Sequence, residues 1–126
     1  MRGKTLTPSS LWILLFALTA STLLGGIARA DTVTIDEPVA DATYLTTATI
    51  ATNGTCEPLF LTMTVKLIKG TNIVSSHTLE GNQGVWSWDF EPPTGGWAVG
   101  DDYKVEVWSG GTKRDDVAIK VVSPGT

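Results

Sequence analysis

The stretch Leu61-Thr62-Met63-Thr64-Val65-Lys66-Leu67 alternates apolar and polar side chains without interruption. Successive side chains of a β-strand point to opposite faces of a sheet, so the stretch predicts a strand with one buried and one exposed face. The residues that follow, Lys69-Gly70-Thr71-Asn72, favour a turn. The next segment, Ile73–Leu79, is more polar and is predicted to run back as an edge strand.

Five further segments have the alternation or composition of strands, and turn residues separate them: 32–36, 46–52, 85–90, 103–108 and 117–121. Seven short strands at this spacing are typical of an antiparallel sandwich or small barrel. The dipeptide Asn53-Gly54 predicts the end of the second strand. It would begin either a hairpin or, with Thr55–Pro58, a loop that crosses between sheets; we favour the crossing loop.

The first thirty residues have a different composition and predict a secretory signal peptide. Arg2 and Lys4 precede the apolar run Leu11–Leu24, and Ala28-Arg29-Ala30 supplies the small residues of a cleavage site. The 14-residue run is shorter than the roughly 20 apolar residues of a membrane span. An uncleaved anchor is the alternative. We therefore expect residues 1–30 to be removed and the protein to be secreted or periplasmic.

The mature chain would be a single domain, residues 31–126, with an acidic balance. Removal of Arg2, Lys4 and Arg29 leaves six basic residues against thirteen acidic ones, a net charge of −7. Such a domain repels phosphate backbones and anionic lipid, so nucleic acid is a poor partner. No second long apolar stretch follows, so we expect no membrane insertion after cleavage.

A family resemblance rests on four segments: Val33–Asp41 (VTIDEPVAD), Leu61–Leu67, Gly84–Phe90 (GVWSWDF) and Gly100–Tyr103 (GDDY). With them, residues 32–122 resemble a bacterial immunoglobulin-like (Ig-like) domain of secreted and surface proteins. The resemblance implies an all-β, antiparallel Greek-key sandwich of about seven strands. It also implies that the Tyr103 hydroxyl ties back to its own loop. The sequence departs from the family in the longer loop Glu91–Asp102, which contains PPTGGW.

The four tryptophans of the mature chain fall into two pairs. Trp86 and Trp88 alternate along one strand with Phe90, which predicts core positions; a sugar-stacking platform is the alternative. Trp97 lies in the Gly-rich loop, and Trp108 is predicted to face away from the apolar stripe of its strand. Because loops and exposed aromatic rings often carry binding, Trp97 and Trp108 are candidate ligand-binding residues.

The remaining candidates are titratable groups. Asp101 and Asp102 are candidate ligand-binding residues, but their spacing matches no calcium loop, so we predict neither a metal nor a cofactor. Cys56 is the only cysteine and is expected in the core; a bridge to a second chain is the alternative. His77 is the only histidine and therefore the only candidate base of that type. We do not expect an enzyme.

The sequence thus predicts a secreted, non-catalytic Ig-like module with a binding or structural role, in which it contacts another protein or a cell surface. Two alternatives remain open. A carbohydrate-binding module would use exposed and coplanar Trp97 and Trp108, whereas an inhibitor of an extracellular enzyme would present the loop Glu91–Asp102 as a rigid protrusion.

Overall fold

The computed structural model describes residues 30–125, which form an all-β fold. The predicted signal peptide, apart from Ala30, lies outside the described residues. The eight strands are β1 (Thr32–Val33), β2 (Ala42–Leu45), β3 (Ile50–Glu57), β4 (Thr62–Lys69), β5 (Asn72–Glu80), β6 (Val85–Phe90), β7 (Gly100–Ser109) and β8 (Thr112–Val122).

The strands form two sheets, a three-stranded sheet of order β1-β3-β6 and a five-stranded sheet of order β2-β8-β7-β4-β5. The predicted all-β sandwich is therefore confirmed. β2 pairs with β8 in parallel, whereas the other strand pairs are antiparallel. The expectation of about seven purely antiparallel strands missed β2. Its four residues become a strand by pairing with a segment almost eighty residues further along the chain.

Asn53-Gly54 lies inside β3 and forms no turn, so the predicted end of this strand was wrong. A Cβ atom at position 54 would overlap the carbonyl oxygen of Thr34 and crowd the Trp86 indole. Glycine is therefore required here by the close approach of another chain segment. The crossing between sheets does occur, but it lies later, between the end of β3 at Glu57 and the start of β4.

The core lies between the two sheets and is built from their inward-facing stripes. Its fourteen buried members are Val33, Ile50, Cys56, Met63, Val65, Leu67, Trp86, Phe90, Trp97, Tyr103, Val105, Val107, Ile119 and Val121. β4 supplies three of them at alternate positions, as its sequence period predicts. Apolar burial of this kind is the main stabilising contribution to such a fold.

β5 and β6 are the outermost strands on one side of the sandwich. The prediction that the β5 segment forms an edge strand is confirmed. The register against β4 shifts between Leu67 and Ile68, so that Val74 is an extra residue on β5. Bulges of this kind are common at sheet edges because they disturb a surface that would otherwise pair with other strands. From Ser75 to Glu80 the pairing is regular.

Candidate functional site

Trp97, a candidate ligand-binding residue, is buried in the core. Only 4% of the residue is exposed, and its indole nitrogen donates a 2.8 Å hydrogen bond to the carbonyl of Ala48. Its backbone N–H donates to the carbonyl of Thr46. The expected ligand-binding role is therefore corrected: this loop indole closes one end of the sandwich. The two carbonyl groups that accept these hydrogen bonds lie between β2 and β3, and they could not be identified from the sequence.

Trp108 is half-buried on the outer face of the five-stranded sheet, next to a groove of about 290 Å³. Its indole nitrogen donates a 2.8 Å hydrogen bond to Oε1 of Glu106, and Nζ of Lys66 lies 4.2 Å from its ring centroid. The ammonium group thus stacks on the ring in a cation–π contact. Trp97 and Trp108 do not form one platform, because Trp97 is in the core.

Asp101 and Asp102 follow Gly100 at the start of β7 and are both exposed. Oδ1 of Asp102 lies 3.1 Å from Nζ of Lys69, so its charge is paired at the surface. Within residues 30–125, no group of three or more His, Cys, Asp and Glu side chains is arranged to hold a metal ion. The two candidate aspartates therefore do not belong to a multidentate site in the described part of the chain.

Tyr103 and Trp86 have structural contacts in the core. The Tyr103 hydroxyl donates a 2.6 Å hydrogen bond to the carbonyl of Ala98, five residues earlier. This is the contact that the family resemblance implies. The Trp86 indole donates a 2.9 Å hydrogen bond to the carbonyl of Thr34 and so ties β6 to the segment that follows β1. Both side chains bury large apolar surfaces while their polar atoms remain bonded.

Trp88 is half-buried and packs against the core, so the structure supports its predicted core position in part. Its ring stacks on that of His77, with 3.4 Å between the centroids and 8° between the planes. His77 belongs to β5 and Trp88 to β6, so the stack links the two sheets at their open side. Trp86 is more deeply buried than Trp88, and its indole also reaches the carbonyl of Thr34 beyond β3.

At this open side, β6 presents backbone groups that pair with no other strand of residues 30–125. Asn53 exchanges backbone hydrogen bonds with Glu37, on the β1 side, so its N–H and C=O point away from its β6 partner Ser87. In an antiparallel ladder, such a pair is not hydrogen-bonded, and both members direct their backbone groups outward. Ser87, and Asp89 two residues on, therefore direct their N–H and C=O groups to the free edge.

The same reasoning applies to β5. Gly81 donates a backbone hydrogen bond to the carbonyl of Leu61, next to the start of β4. From this bond, hydrogen-bonded and non-hydrogen-bonded residue pairs alternate along β4 and β5. Ser76, Thr78 and Glu80 therefore direct their backbone groups away from β4. The free edges of β5 and β6 lie on the same side of the sandwich.

Two clefts lie along the side of β6, and we call them together the β6 groove. The first, of about 500 Å³, is lined by Ser75, Ser87, Trp88, Asp89, Phe90 and Glu91. The second, of about 550 Å³, includes Asp36, Leu79, Glu80, Val85, Trp86 and Ser87 in its lining. Ser87 lines both clefts, so the two clefts meet at a residue whose backbone groups point outward.

The β6 groove combines aromatic side chains with carboxylates. Asp89 and Glu91 lie in the first cleft, and Asp36 and Glu80 lie in the second. Within residues 30–125, every Lys and Arg lies on β4, β7 or β8. The groove therefore carries negative charge that no basic side chain of its own strands offsets.

Cys56 is in the core, with 3% of the residue exposed. Burial raises the pKa of its thiol, and a backbone hydrogen bond involving Leu61 partly opposes that rise. The thiol is thus neither exposed for a bridge to a second chain nor activated as a nucleophile, since the thiolate is the reactive form.

No family model matches the chain, and no curated protein is significantly similar to it. Among the described residues, no helix is long and apolar enough to cross a membrane.

Sequence reasoning did not identify the β6 groove. Its outward residues, Ser87 and Asp89, were visible only as the polar half of an alternating strand. One signal was available: residues 70–103 contain no Lys or Arg, although they include three separate acidic positions and a tandem pair. That signal shows where basic residues are missing, but not that β5 and β6 share one side of the molecule.

Proposed function

We propose that this chain is an exported, non-catalytic Ig-like module that binds a protein partner, which adds an extended segment to the free edge of β6. The observation that carries the proposal is the outward-directed backbone of Ser87 and Asp89 inside a groove of two clefts. Strand addition uses main-chain hydrogen bonds for affinity and alternate side-chain pockets for specificity. The β6 groove offers both components.

Export is part of this proposal and rests on the order of charged, apolar and small residues in Met1–Ala30. The expected mature N-terminus is Asp31. Intact-mass measurement of the protein recovered from the periplasm or medium of an expressing bacterium would test this. A product that retains residues 1–30 in the membrane fraction would contradict cleavage and favour the anchor.

The binding mode is tested with Ser87→Pro. Proline removes a backbone N–H that points away from β3, so the β3–β6 ladder is expected to survive while strand addition at β6 is blocked. The matched control is Ser76→Pro, which removes an outward N–H from the free edge of β5. Circular dichroism and thermal unfolding establish that both variants fold.

The readout is amide hydrogen exchange of the protein with and without a partner captured from the host envelope and then produced in pure form. We expect the Ser87 and Asp89 amides to become protected on binding. Ser87→Pro should abolish binding, whereas Ser76→Pro should retain it. Equal binding by folded Ser87→Pro, with new protection on another surface, would reject strand addition at β6.

A second candidate, binding of a glycan at Trp108, is favoured by the groove of about 290 Å³ beside that ring. Lys66 already stacks on the indole, which makes the ring less available to a sugar. Fluorescence titration of the protein and of Trp108→Ala with soluble polysaccharides distinguishes this candidate. A saturable shift that only the variant lacks would favour it.

A further inference from the structure

The charges of the described sandwich are segregated between its strands. β4, β7 and β8 carry six basic and five acidic residues and are nearly neutral together. The rest of residues 31–125, which includes β5 and the whole three-stranded sheet, carries eight acidic residues and no basic one. The net charge of this domain therefore resides on the part that contains the β6 groove.

The two faces of a strand added to β6 would meet different chemistry. One face would extend the outer surface of the three-stranded sheet, where Ser87 and Asp89 are exposed. The other face would extend the inner surface, beside half-buried Trp88 and buried Phe90. Because side chains alternate along a strand, one segment can present charged residues to Asp89 and apolar residues to Trp88.

From this arrangement we infer that the segment accepted by β6 is a cationic strand of a partner protein, with Lys or Arg at alternate positions and apolar residues between them. The inference rests on the proposed function, strand addition at β6, and specifies the chemistry of its occupant. Opposite charges across an interface favour the correct partner and accelerate its association.

A second copy of this chain is a less suitable occupant. Pairing two β6 edges would place the Asp89 carboxylates of both copies in the same interface, along with Glu91 and Glu80 near the same edges. Like charges placed opposite each other across strands are destabilising. The acidic groove thus disfavours edge-to-edge self-association, which is a known hazard of free strands, and still admits a basic segment.

The test uses capped synthetic peptides and the purified mature protein from expression of the full chain. Three peptides share alternating valines and differ in the residue between them: KVKVKV, SVSVSV and EVEVEV. A fourth, KKKVVV, keeps the composition of the first but loses the alternation. Spermine serves as a small cation without a backbone. Affinity is measured by calorimetry, and the site by amide exchange.

We expect KVKVKV to bind about tenfold more tightly than SVSVSV, and EVEVEV not to bind, because charge decides between otherwise equal strands. KVKVKV should protect the Ser87 and Asp89 amides. Raising NaCl from about 20 to 300 mM should weaken the binding of KVKVKV several-fold, since exposed charges are screened. Asp89→Asn should weaken the binding of KVKVKV likewise, whereas Asp116→Asn, which removes the same charge from an exposed position of β8, should leave the affinity unchanged.

Equal affinity for SVSVSV and KVKVKV, both lost in Ser87→Pro, would overturn the cationic preference and leave strand addition standing. Equal affinity for KKKVVV, or full competition by spermine, would show general attraction to an acidic surface and overturn the inference. If no peptide protects the β6 amides and Ser87→Pro changes nothing, strand addition itself fails.

Discussion

At the scale of single residues, the Tyr103 hydroxyl offers the clearest test of a buried hydrogen bond. Tyr103→Phe keeps the ring and leaves the Ala98 carbonyl without its 2.6 Å donor. We expect the free energy of unfolding to fall by about 1 kcal/mol, the usual net contribution of such a bond. Urea unfolding measures this change in free energy, and Tyr44→Phe, at a half-buried tyrosine, is the control. An unchanged midpoint would show that the bond contributes nothing to stability.

The same hydroxyl predicts a dependence on pH. Burial raises the pKa of Tyr103, while Lys69 opposes and Asp102 adds to that rise. A phenol with a higher pKa in the folded state stabilises folding fully below about pH 10, and that contribution is lost as pH rises through the folded pKa. Tyr103→Phe should therefore lose stability less steeply above about pH 10 than the parent protein. Parallel curves for the two proteins would contradict this assignment.

We expect the Cys56 thiol to react slowly with labelling reagents in the folded protein. Only 3% of the residue is exposed, and burial raises the pKa of its thiol, so a disulfide reagent must wait for the protein to open. Under native conditions at pH 8, labelling should be at least about a hundredfold slower than in urea, where the open form dominates. Rapid native labelling, followed by absorbance, would mean that the loop after β3 opens freely.

At the scale of elements, β3 depends on a glycine that local rules assign to a turn. Gly54→Ala places a methyl group against the Thr34 carbonyl, so β3 and the segment after β1 must separate. We expect a loss of about 2–3 kcal/mol, the upper range for overpacking. Ala51→Ser on the same strand is the control. Thermal unfolding measures both, and a neutral Gly54→Ala would show that this approach is not tight in solution.

β6 should tolerate loss of its two tryptophans unequally. Trp86→Ala removes a buried ring and its bond to Thr34, which predicts a loss of about 3–5 kcal/mol. Trp88→Ala removes a half-buried ring whose main partner is His77, so about 1–2 kcal/mol is expected, near the contribution of an aromatic pair. Equal losses would show that the open side is as well packed as the centre.

At the scale of the whole molecule, repulsion among the carboxylates of the β6 groove should lower the free energy of unfolding, while the same carboxylates favour binding of a cationic segment. Asp89→Lys introduces a basic residue among carboxylates and relieves repulsion, so the free protein should become more stable by a few tenths of a kcal/mol. The same change should abolish binding of KVKVKV. Thermal unfolding at low salt measures the first effect, with Asp101→Lys as the control. A destabilised Asp89→Lys would show that this carboxylate supports the fold.

The local sequence determined the strands whose periodicity is strong. β4 supplies inward residues at every second position because Met63, Val65 and Leu67 alternate with polar side chains. Alternation is a short-range property of the backbone, so it can be read without knowing any partner. The edge position of β5 was also predictable from local sequence, because its residues are more polar than those of β4.

Only the tertiary structure decided the features that depend on a distant segment. β2 exists through pairing with β8, Gly54 lies in a strand because Thr34 approaches it, and Trp97 is buried because Ala48 accepts its hydrogen bond. The β6 groove arises in the same way, since two sheets bring β5 and β6 to one side. The sequence by itself determined which residues carry charge and which alternate. Long-range packing decided which of those charges share a surface.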